Sequence, residues 1–416
     1  MLVQVDNAGR AAVTSVAVVG AGLMGTGIAI ALLNADVAVT LIETRSDALE
    51  AAVKRIRAAF ARDIEKGRLP AQTAERRMDC LTPAGTINAA ADADLVIEAV
   101  FEEIDVKRTV FGELDRVAKR SAILASNTSG LDLNVIAGFT RRPERVIGLH
   151  FFSPANIMKL VEIVRGAATA PEVLATAMAV VKRIGKVGVV AGVCDGFIGN
   201  RIFEEYLRQA YFLLEQGALP QQVDKALENW GMAMGPFRTM DLAGQDVGHS
   251  VRKRRLITDP GRPYSRIPDL ICDMGRFGQK TGKGFYLYRD GRTAEVDPEI
   301  DALVISHSEE IGIKRRALRD IEIIERCWLA MVNEGARILA DGIAYRSVDI
   351  DIIYLNGYGF PAERGGPMFH ADRMGLPNVL AKIERFAAGI NGWSWNPAPL
   401  LVDLAARNAT FGPLAR

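Results

Sequence analysis

His150 and Glu162 are the two residues whose types and spacing suggest joint chemistry. His150 is one of four histidines in 416 residues and sits in GLHFF (148–152). Glu162 is a lone carboxylate inside the apolar run LVEIV (160–164). RVIGLHFF (145–152) and KLVEIV (159–164) read as two strands either side of SPANIM. If they pair antiparallel about Asn156, positions summing to 312 face each other, and His150 faces Glu162. Directly opposed residues have Cβ atoms roughly 4.5–5.5 Å apart, within side-chain hydrogen-bond reach. A carboxylate so placed fixes the imidazole tautomer and stabilises imidazolium, as the acid of a catalytic triad does. His150 is then a candidate general acid/base. The plainer alternative is a structural histidine satisfied by its glutamate. No cysteine–histidine cluster competes for it as a metal ligand, and no GxSxG elbow offers a serine nucleophile. Proton transfer coupled to hydride transfer is the reaction class that fits.

The elements that must position this pair begin at SVAVV (15–19), a short β-branched run that reads as a buried strand. GAGLMGTG follows, with Gly20, Gly22 and Gly25 in GxGxxG spacing, then the apolar helix LMGTGIAIALLNA and a second strand, VAVTLIE, ending in Glu43. Gly20 permits the tight turn, Gly22 lets the backbone approach a pyrophosphate, and Gly25 allows close helix–strand packing. The helix N-terminus favours the phosphate charge. Glu43 can accept both ribose hydroxyls and would repel a 2′-phosphate, which points to NAD. Arg45 is a counter-signal, since arginine can accept that phosphate. Strand and helix continue to alternate through DLVIEAV (94–100), EEIDVKRTVFGELDRVAK (102–119) and AILAS (122–126), with NTSG (127–130) after the last. In such sheets ligands sit beyond the carboxyl ends of the strands, which places Glu102, Lys107 and Ser129 near a dinucleotide. Taken alone, Lys107 reads as a solvated helix lysine.

The chain carries 51 basic and 50 acidic residues, a net charge of +1, so no global field would attract nucleic acid or a membrane surface. Cys80, Cys194, Cys272 and Cys327 are far apart and form no CxxC pair, which favours a reducing compartment and no structural zinc. The first residues lack a basic segment followed by an apolar one, no 18-residue apolar run is present, and GPLAR is not an SKL-type address. A soluble cytoplasmic protein without a metal is the expectation.

These residues resemble the L-3-hydroxyacyl-CoA dehydrogenase family. The motifs that carry the resemblance are GAGLMGTGIA (20–29), EAVFE (98–102), ASNTSG (125–130), GLHFFSP (148–154), KLVEIV (159–164), DGFIGNR (195–201) and GQKTGKGFY (278–286). MGPFRTMDLAGQDVG (234–248) and IYLNGYGFPAERGGPMF (353–369) look like one branch of it, the dehydrogenase half of peroxisomal-type bifunctional β-oxidation enzymes. The hydratase/isomerase half of those enzymes has no counterpart in this sequence. The resemblance implies a Rossmann-type NAD-binding domain and an acyl-CoA substrate. It implies that His150 is the catalytic base, Glu162 its partner, and Ser129 and Asn200 hydrogen-bond donors to the substrate oxygens. The implied NAD contacts are Gly20, Gly22, Leu23, Met24, Gly25, Glu43, Val100, Glu102, Lys107, Ser129, Ser153 and Lys280. Lys54, Arg55 and Arg57, on the helix after Glu43, read by themselves as a solvated face, and His370 as a plain core or surface histidine; the resemblance makes Lys54 a candidate for the coenzyme A phosphates and His370 for the acyl pocket. Gly130 and Ser153 depart from the residues of many short members.

After Asn200 the pattern turns helical. LEQGALPQQVDKAL (214–227) aligns without gaps to LADGIAYRSVDIDI (339–352) at an offset of 125, matching Gly217 to Gly342 and Val223-Asp224 to Val348-Asp349. Each copy is followed by a glycine–proline element, MGPF (234–237) and GGPMF (365–369). Such a repeat suggests two copies of one helical unit packed together. The fold expected is α/β plus all-α. A Rossmann-type NAD-binding domain spans 1–194, and two tandem repeated helical domains span 195–290 and 291–416, with a polar connector at 286–301 between the repeats. The second copy would replace the dimer partner of short family members, giving a monomer with an internal pseudo-dimer. VRKRR (251–255) reads as a solvated helix face. The activity implied is reversible NAD-dependent oxidation of (S)-3-hydroxyacyl-CoA to 3-oxoacyl-CoA in fatty-acid β-oxidation, with a separate enoyl-CoA hydratase as a prospective partner. The alternatives are a dehydrogenase of a free hydroxy acid and a non-enzymatic, crystallin-like NAD-binding protein.

Overall fold

The computed structural model describes residues 13–412. They divide into two compact units, one running to Asn200 and including Asp341–Tyr345, the other formed by Arg201–Ala340 and the residues from Arg346 on. In the first unit eight strands form one sheet: β1 (Ser15–Val19), β2 (Ala38–Ile42), β3 (Leu81–Ala84), β4 (Leu95–Glu98), β5 (Ile123–Ser126), β6 (Val146–Phe151), β7 (Leu160–Val164) and β8 (Val187–Ala191). Their order is β3-β2-β1-β4-β5-β6-β7-β8. Every neighbouring pair is parallel except β6–β7. The central strands are buried along their whole length, as a sheet covered by helices on both faces requires. The helices of this unit are α1 (Leu23–Asn34), α2 (Ser46–Glu65), α3 (Ala71–Asp79), α4 (Ile104–Val117), α5 (Leu133–Ala137) and α6 (Pro171–Arg183), with the start of α7 (Gly199–Gln216).

The strand order reverses across β1, because β2 and β3 lie on one side and β4 and β5 on the other. This is where a ligand crevice opens in an α/β sheet. The loops after β1 and β4 meet there: a Cβ on Gly20 would stand 2.6 Å from the Ala99 carbonyl oxygen. Gly20 also has φ +102, so this position favours glycine on two counts.

The second unit is mostly helical: the rest of α7, then α8 (Pro220–Trp230), α9 (Pro236–Ala243), α10 (Gln245–Thr258), α11 (Ile267–Asp273), α12 (Pro298–Glu310), α13 (Asp320–Ala340), α14 (Ser347–Gly357), α15 (Pro367–Met374), α16 (Leu376–Ala387) and α17 (Pro399–Ala406). Among the described residues no helix is long and apolar enough to cross a membrane. The boundary expected at 290 falls inside this unit. The connector is no free linker, because Tyr286 and Tyr288 are buried and their hydroxyls donate to Asp224 and Asp241.

The two glycine–proline elements are held in the same way, but not in the register of the ungapped alignment. Asp224 accepts the backbone N–H groups of Phe237 and Arg238 at the start of α9. The residue doing the same for α15 is Asp351, not Asp349, through Met368 and Phe369. Residues 217–219 join α7 to α8, whereas 341–346 join α13 to α14, and the longer loop shifts the aspartate. Glycine precedes the proline of both helices, and a Cβ there would lie 2.4 Å from Asp224 or 2.3 Å from Asp351.

The run 251–255 is not a purely solvated face either. Arg252 is buried and pairs with Asp269 at 2.6 Å, and Arg255 reaches Glu204 at 2.8 Å.

Candidate active site

The glycine loop has the shape its sequence foretells. A Cβ on Gly25 would lie 1.8 Å from the Gly20 carbonyl oxygen, so only glycine lets α1 sit this close to β1. Gly22 differs: a Cβ there would meet nothing within 4 Å. Packing does not demand glycine at this position, and the space over the loop suits a pyrophosphate. Gly22 caps α1 without a side-chain hydrogen bond, leaving the first amides of the helix for an anion. Glu43 stands at the end of β2 with one carboxylate oxygen on the Ala21 N–H (3.2 Å) and the other on the Arg45 N–H (3.1 Å). The Arg45 guanidinium is paired with Asp47 at 2.6 Å. Leu23 and Phe101 leave large apolar side chains exposed, at 69% and 80%. Met24 and Val100 are half-buried beside them in sequence. These residues fit a nicotinamide dinucleotide: the loop and α1 would hold its pyrophosphate and Glu43 a ribose.

β6 and β7 pair in the register read from the sequence, with His150 opposite Glu162. His150 Nδ1 lies 2.8 Å from Glu162 Oε2, and the pair is buried. The other carboxylate oxygen accepts the N–H groups of Ile198 (3.0 Å) and Gly199 (2.9 Å), where α7 begins. Glu162 is thus held at both oxygens, and a helix N-terminus stabilises its charge. With Nδ1–H donating to Glu162, Nε2 of the neutral ring is the atom left for a substrate proton. The ring packs against Phe152 at 4.5 Å and Phe197 at 5.8 Å between centroids. Phe197 has φ +48, a strained conformation for a non-glycine residue, and backbone strain of this kind gathers at functional sites. Asn200 is half-buried in the first turn of α7, directly after the amides that Glu162 accepts.

A second carboxylate network joins β4, β5 and α4. Glu98, wholly buried, accepts from Lys107 Nζ (2.7 Å), Ser126 Oγ (2.7 Å) and the Val100 N–H (2.7 Å). Lys107 is 1% exposed, so the solvated reading of this lysine is wrong. Its ammonium lies between Glu98 and Glu102, the latter at 3.3 Å. Glu102 in turn accepts Thr128 Oγ1 (2.7 Å), the Ser129 N–H (2.6 Å) and Ser129 Oγ (3.1 Å). Burial pushes the Glu102 carboxyl up, but Lys107, Thr128 and Ser129 outweigh it and hold the group below its ordinary value. The described contacts therefore make Lys107 the support of Glu102, and Glu102 the support of Ser129. Asn127 Oδ1 accepts the Phe151 N–H at 2.9 Å and ties the Ser129 loop to the strand that carries His150.

The sequence reading missed Glu98 and Asn127. Arg55 Nη2 donates to the Ala21 carbonyl (2.8 Å) and Thr26 Oγ1 (3.3 Å), bracing the glycine loop rather than standing free on a solvated face. Lys54 and Arg57 are exposed on α2. Ser153 is exposed just beyond β6 and joined to Pro154 by a cis peptide bond. Lys280 and His370 belong to the second unit. There Lys280 pairs with Asp246 at 2.6 Å. The His370 ring packs on Trp328 at 4.7 Å and Trp230 at 5.7 Å, aromatic packing that accounts for it without a ligand.

A glycine loop at the switch point of a parallel sheet, with a buried histidine–carboxylate pair on a neighbouring strand, is the architecture of a dinucleotide-binding oxidoreductase domain. Comparison with known proteins agrees. Residues 15–194 match the description 3-hydroxyacyl-CoA dehydrogenase, NAD binding domain, and residues 196–288 match 3-hydroxyacyl-CoA dehydrogenase, C-terminal domain. The peroxisomal bifunctional enzyme of Danio rerio is 45% identical over 98% of this chain and 58% of its own length. The chain thus spans about half the length of the curated relatives it matches. Among solved structures, 3-hydroxybutyryl-CoA dehydrogenase from Escherichia coli is 29% identical with a TM-score of 0.84, over 95% of this chain and 99% of that one. FadB2 of M. tuberculosis is 35% identical with a TM-score of 0.63, over 67% of this chain and 99% of that one. The chain belongs to the 3-hydroxyacyl-CoA dehydrogenase family, and the cofactor of its first domain is NAD.

Proposed function

We propose that this chain catalyses the reversible NAD-dependent oxidation of (S)-3-hydroxyacyl-CoA to 3-oxoacyl-CoA in fatty-acid β-oxidation, as a counterpart of the dehydrogenase portion of bifunctional enzymes. The observation that carries the reading is the 2.8 Å contact of His150 Nδ1 with a carboxylate whose other oxygen is held by two backbone amides. Anchored this way, the imidazole presents Nε2 to the 3-hydroxyl, takes its proton during oxidation and returns it to the ketone during reduction. NAD, when bound, accepts the hydride from C3. Glu162 keeps the tautomer and balances the imidazolium as it forms. Ser129, held by Glu102, and Asn200 orient the substrate oxygen. Glu43 selects NAD over its 2′-phosphorylated form. Holding alcohol and ring together supplies the proximity contribution to the rate.

The substrate is an acyl-CoA thioester, and a separate enoyl-CoA hydratase is a partner in the same reading. The two helical repeats take the place of a dimer partner, so the chain is a monomer, which a sedimentation mass of two chains would overturn. A cytoplasmic location belongs to the proposal and is checked by cell fractionation. The deciding experiment is acetoacetyl-CoA-dependent oxidation of NADH, with NADPH and free acetoacetate run alongside. Turnover with the thioester and NADH alone is expected. Turnover of the free acid in its place would overturn the substrate class, and equal use of NADPH would overturn the role of Glu43.

A further inference from the structure

The second unit contains a cleft of about 520 Å³ between the end of α7, the start of α13 and the end of α16. Pockets of roughly 300–1,000 Å³ are the usual size for small-molecule ligands. Arg316, Arg319, Arg326 and Arg385 line it against two carboxylates, Glu322 and Glu325. The carboxylates are already engaged: Glu322 by Arg316 at 3.0 Å, Glu325 by Lys382 at 2.6 Å and by Arg385 at 3.0 Å. The cleft therefore keeps an excess of positive charge.

Arg326 is the telling residue. It is 3% exposed, yet no carboxylate lies within ion-pair distance of it among the described residues. Its two terminal nitrogens donate to neutral oxygens, Gln216 Oε1 at 2.7 Å and Gln209 Oε1 at 3.0 Å. Its Nε has no acceptor, and neither has the Nε2 of Gln216 beside it. Glu322 and Glu215 act on the guanidinium from further away and do not offset its burial, which pushes the group down to about 10. A buried cation without a counter-ion is costly, and orphan buried donors add to that cost. Both orphan groups of this wall are donors beside an uncompensated cation, so the cleft favours an anion.

The other walls describe the rest of that partner. Half-buried Phe386 is backed by the buried Trp395 at 4.9 Å between ring centroids, with Ile321 and Ile390 also lining the cleft. The wall is built rather than incidental. The Arg316 N–H donates to the Gln216 carbonyl at 3.0 Å, and a Cβ on Gly217 would lie 1.9 Å from the Arg316 carbonyl oxygen.

We infer that this cleft is a binding site for an organic phosphate with a flat or apolar body, held by the Arg316–Arg319–Arg326–Arg385 cluster. The inference is separate from the proposed reaction, since it uses none of the residues assigned to it. The test is calorimetric titration of the full chain with ADP, and separately with inorganic pyrophosphate. NAD⁺ and acetoacetyl-CoA are kept saturating; both are oxidised, so they fill the proposed active site without turnover. One further ADP per chain is expected, with pyrophosphate binding more weakly because it has no body to lay along Phe386, Ile321 and Ile390. Arg319→Glu and Arg385→Ala, at exposed positions, should each weaken ADP binding on the order of tenfold while leaving turnover unchanged. Arg326→Gln should abolish it. If that variant does not fold, the two exposed variants still decide. Absence of binding above the saturated active site, or binding that Arg319→Glu and Arg385→Ala leave untouched, would overturn the inference.

Discussion

Glu162 in the first unit and Asp224 and Asp351 in the second are buried carboxylates given the same local task. Each accepts two successive backbone N–H groups at the start of a helix: Ile198 and Gly199 for Glu162, Phe237 and Arg238 for Asp224, Met368 and Phe369 for Asp351. What separates them is the remaining hydrogen-bonding capacity. Glu162 spends its second oxygen on an imidazole, Asp224 receives the Tyr286 hydroxyl at 2.7 Å, and both of the Asp351 oxygens face the start of α15. Burial of a carboxylate is therefore no mark of catalysis in this chain. The group it holds is: an imidazole can exchange a proton with substrate near neutral pH, whereas burial and Asp224 push the Tyr286 hydroxyl well above its ordinary range.

The comparison breaks first at the histidine. His150→Ala should lower kcat/KM with acetoacetyl-CoA by about 10²–10⁴, while NADH binds as before, because the ring supplies the proton but not the cofactor site. Near-normal turnover would remove the mechanism. Glu162→Gln is the sharper probe. The amide oxygen can still accept from Ile198 and Gly199, but the amide N–H₂ now faces His150 Nδ1 and favours the other tautomer. A loss on the order of a hundredfold in kcat, with the melting temperature little changed, is the expected result. An equal loss of stability and rate would make Glu162 a cap like the two aspartates.

How much of this was legible depends on whether the signal lay within one stretch of chain. The His150–Glu162 register could be read because both strands flank one short loop and the side-chain period of two leaves little choice. Gly20, Gly22 and Gly25 could be read because the motif is local. Glu98 was open to the reasoning used for Glu162, a lone charge in a buried run, but it was given no role inside DLVIEAV. Lys107 then lost its partner and read as solvent-exposed, although Glu98 stands only nine residues before it. The ungapped alignment put the second aspartate two positions away from the residue that holds the start of α15. Val348-Asp349 copies Val223-Asp224 in sequence, while the length of a loop decides that Asp351 reaches the helix. Composition likewise marked 286–301 as a polar connector, yet Tyr286 and Tyr288 bury their rings and hydrogen-bond Asp224 and Asp241.

The aspartates should answer where the glutamate does not. Asp351→Ala removes the acceptor for two amides at the start of α15 and should cost about 1–2 kcal/mol of stability, read by chemical denaturation, with kcat unchanged. A fall in kcat at constant stability would tie this cap to the reaction instead.

The smallest effect expected is one of pH, and it has one sign at Asp224 and Asp351 and the opposite sign at Asp94 and Glu102. Burial pushes Asp224 and Asp351 up to about 7, against an ordinary value of 3.8, despite their hydrogen bonds from backbone amides. Between those values the folded state binds more protons than the unfolded one, so stability falls as pH rises through the window. In the first unit Asp94 is held down to about 2, because its bonds from Lys119, Thr14 and Ser15 overcome burial, and Glu102 is lowered too. These groups contribute stability that is complete above the unfolded values and is lost only as pH falls through the folded ones. Lowering the pH from 8 to 5.5 should therefore slow amide exchange, corrected for its intrinsic pH dependence, in α9 and α15 while leaving β1 and β4 unchanged. Asp224→Asn together with Asp351→Asn should flatten the response of the helices, because the carboxamides cannot titrate. A response that persists in the double variant would place its origin outside these two caps, and equal responses in the sheet and the helices would erase the difference between the units.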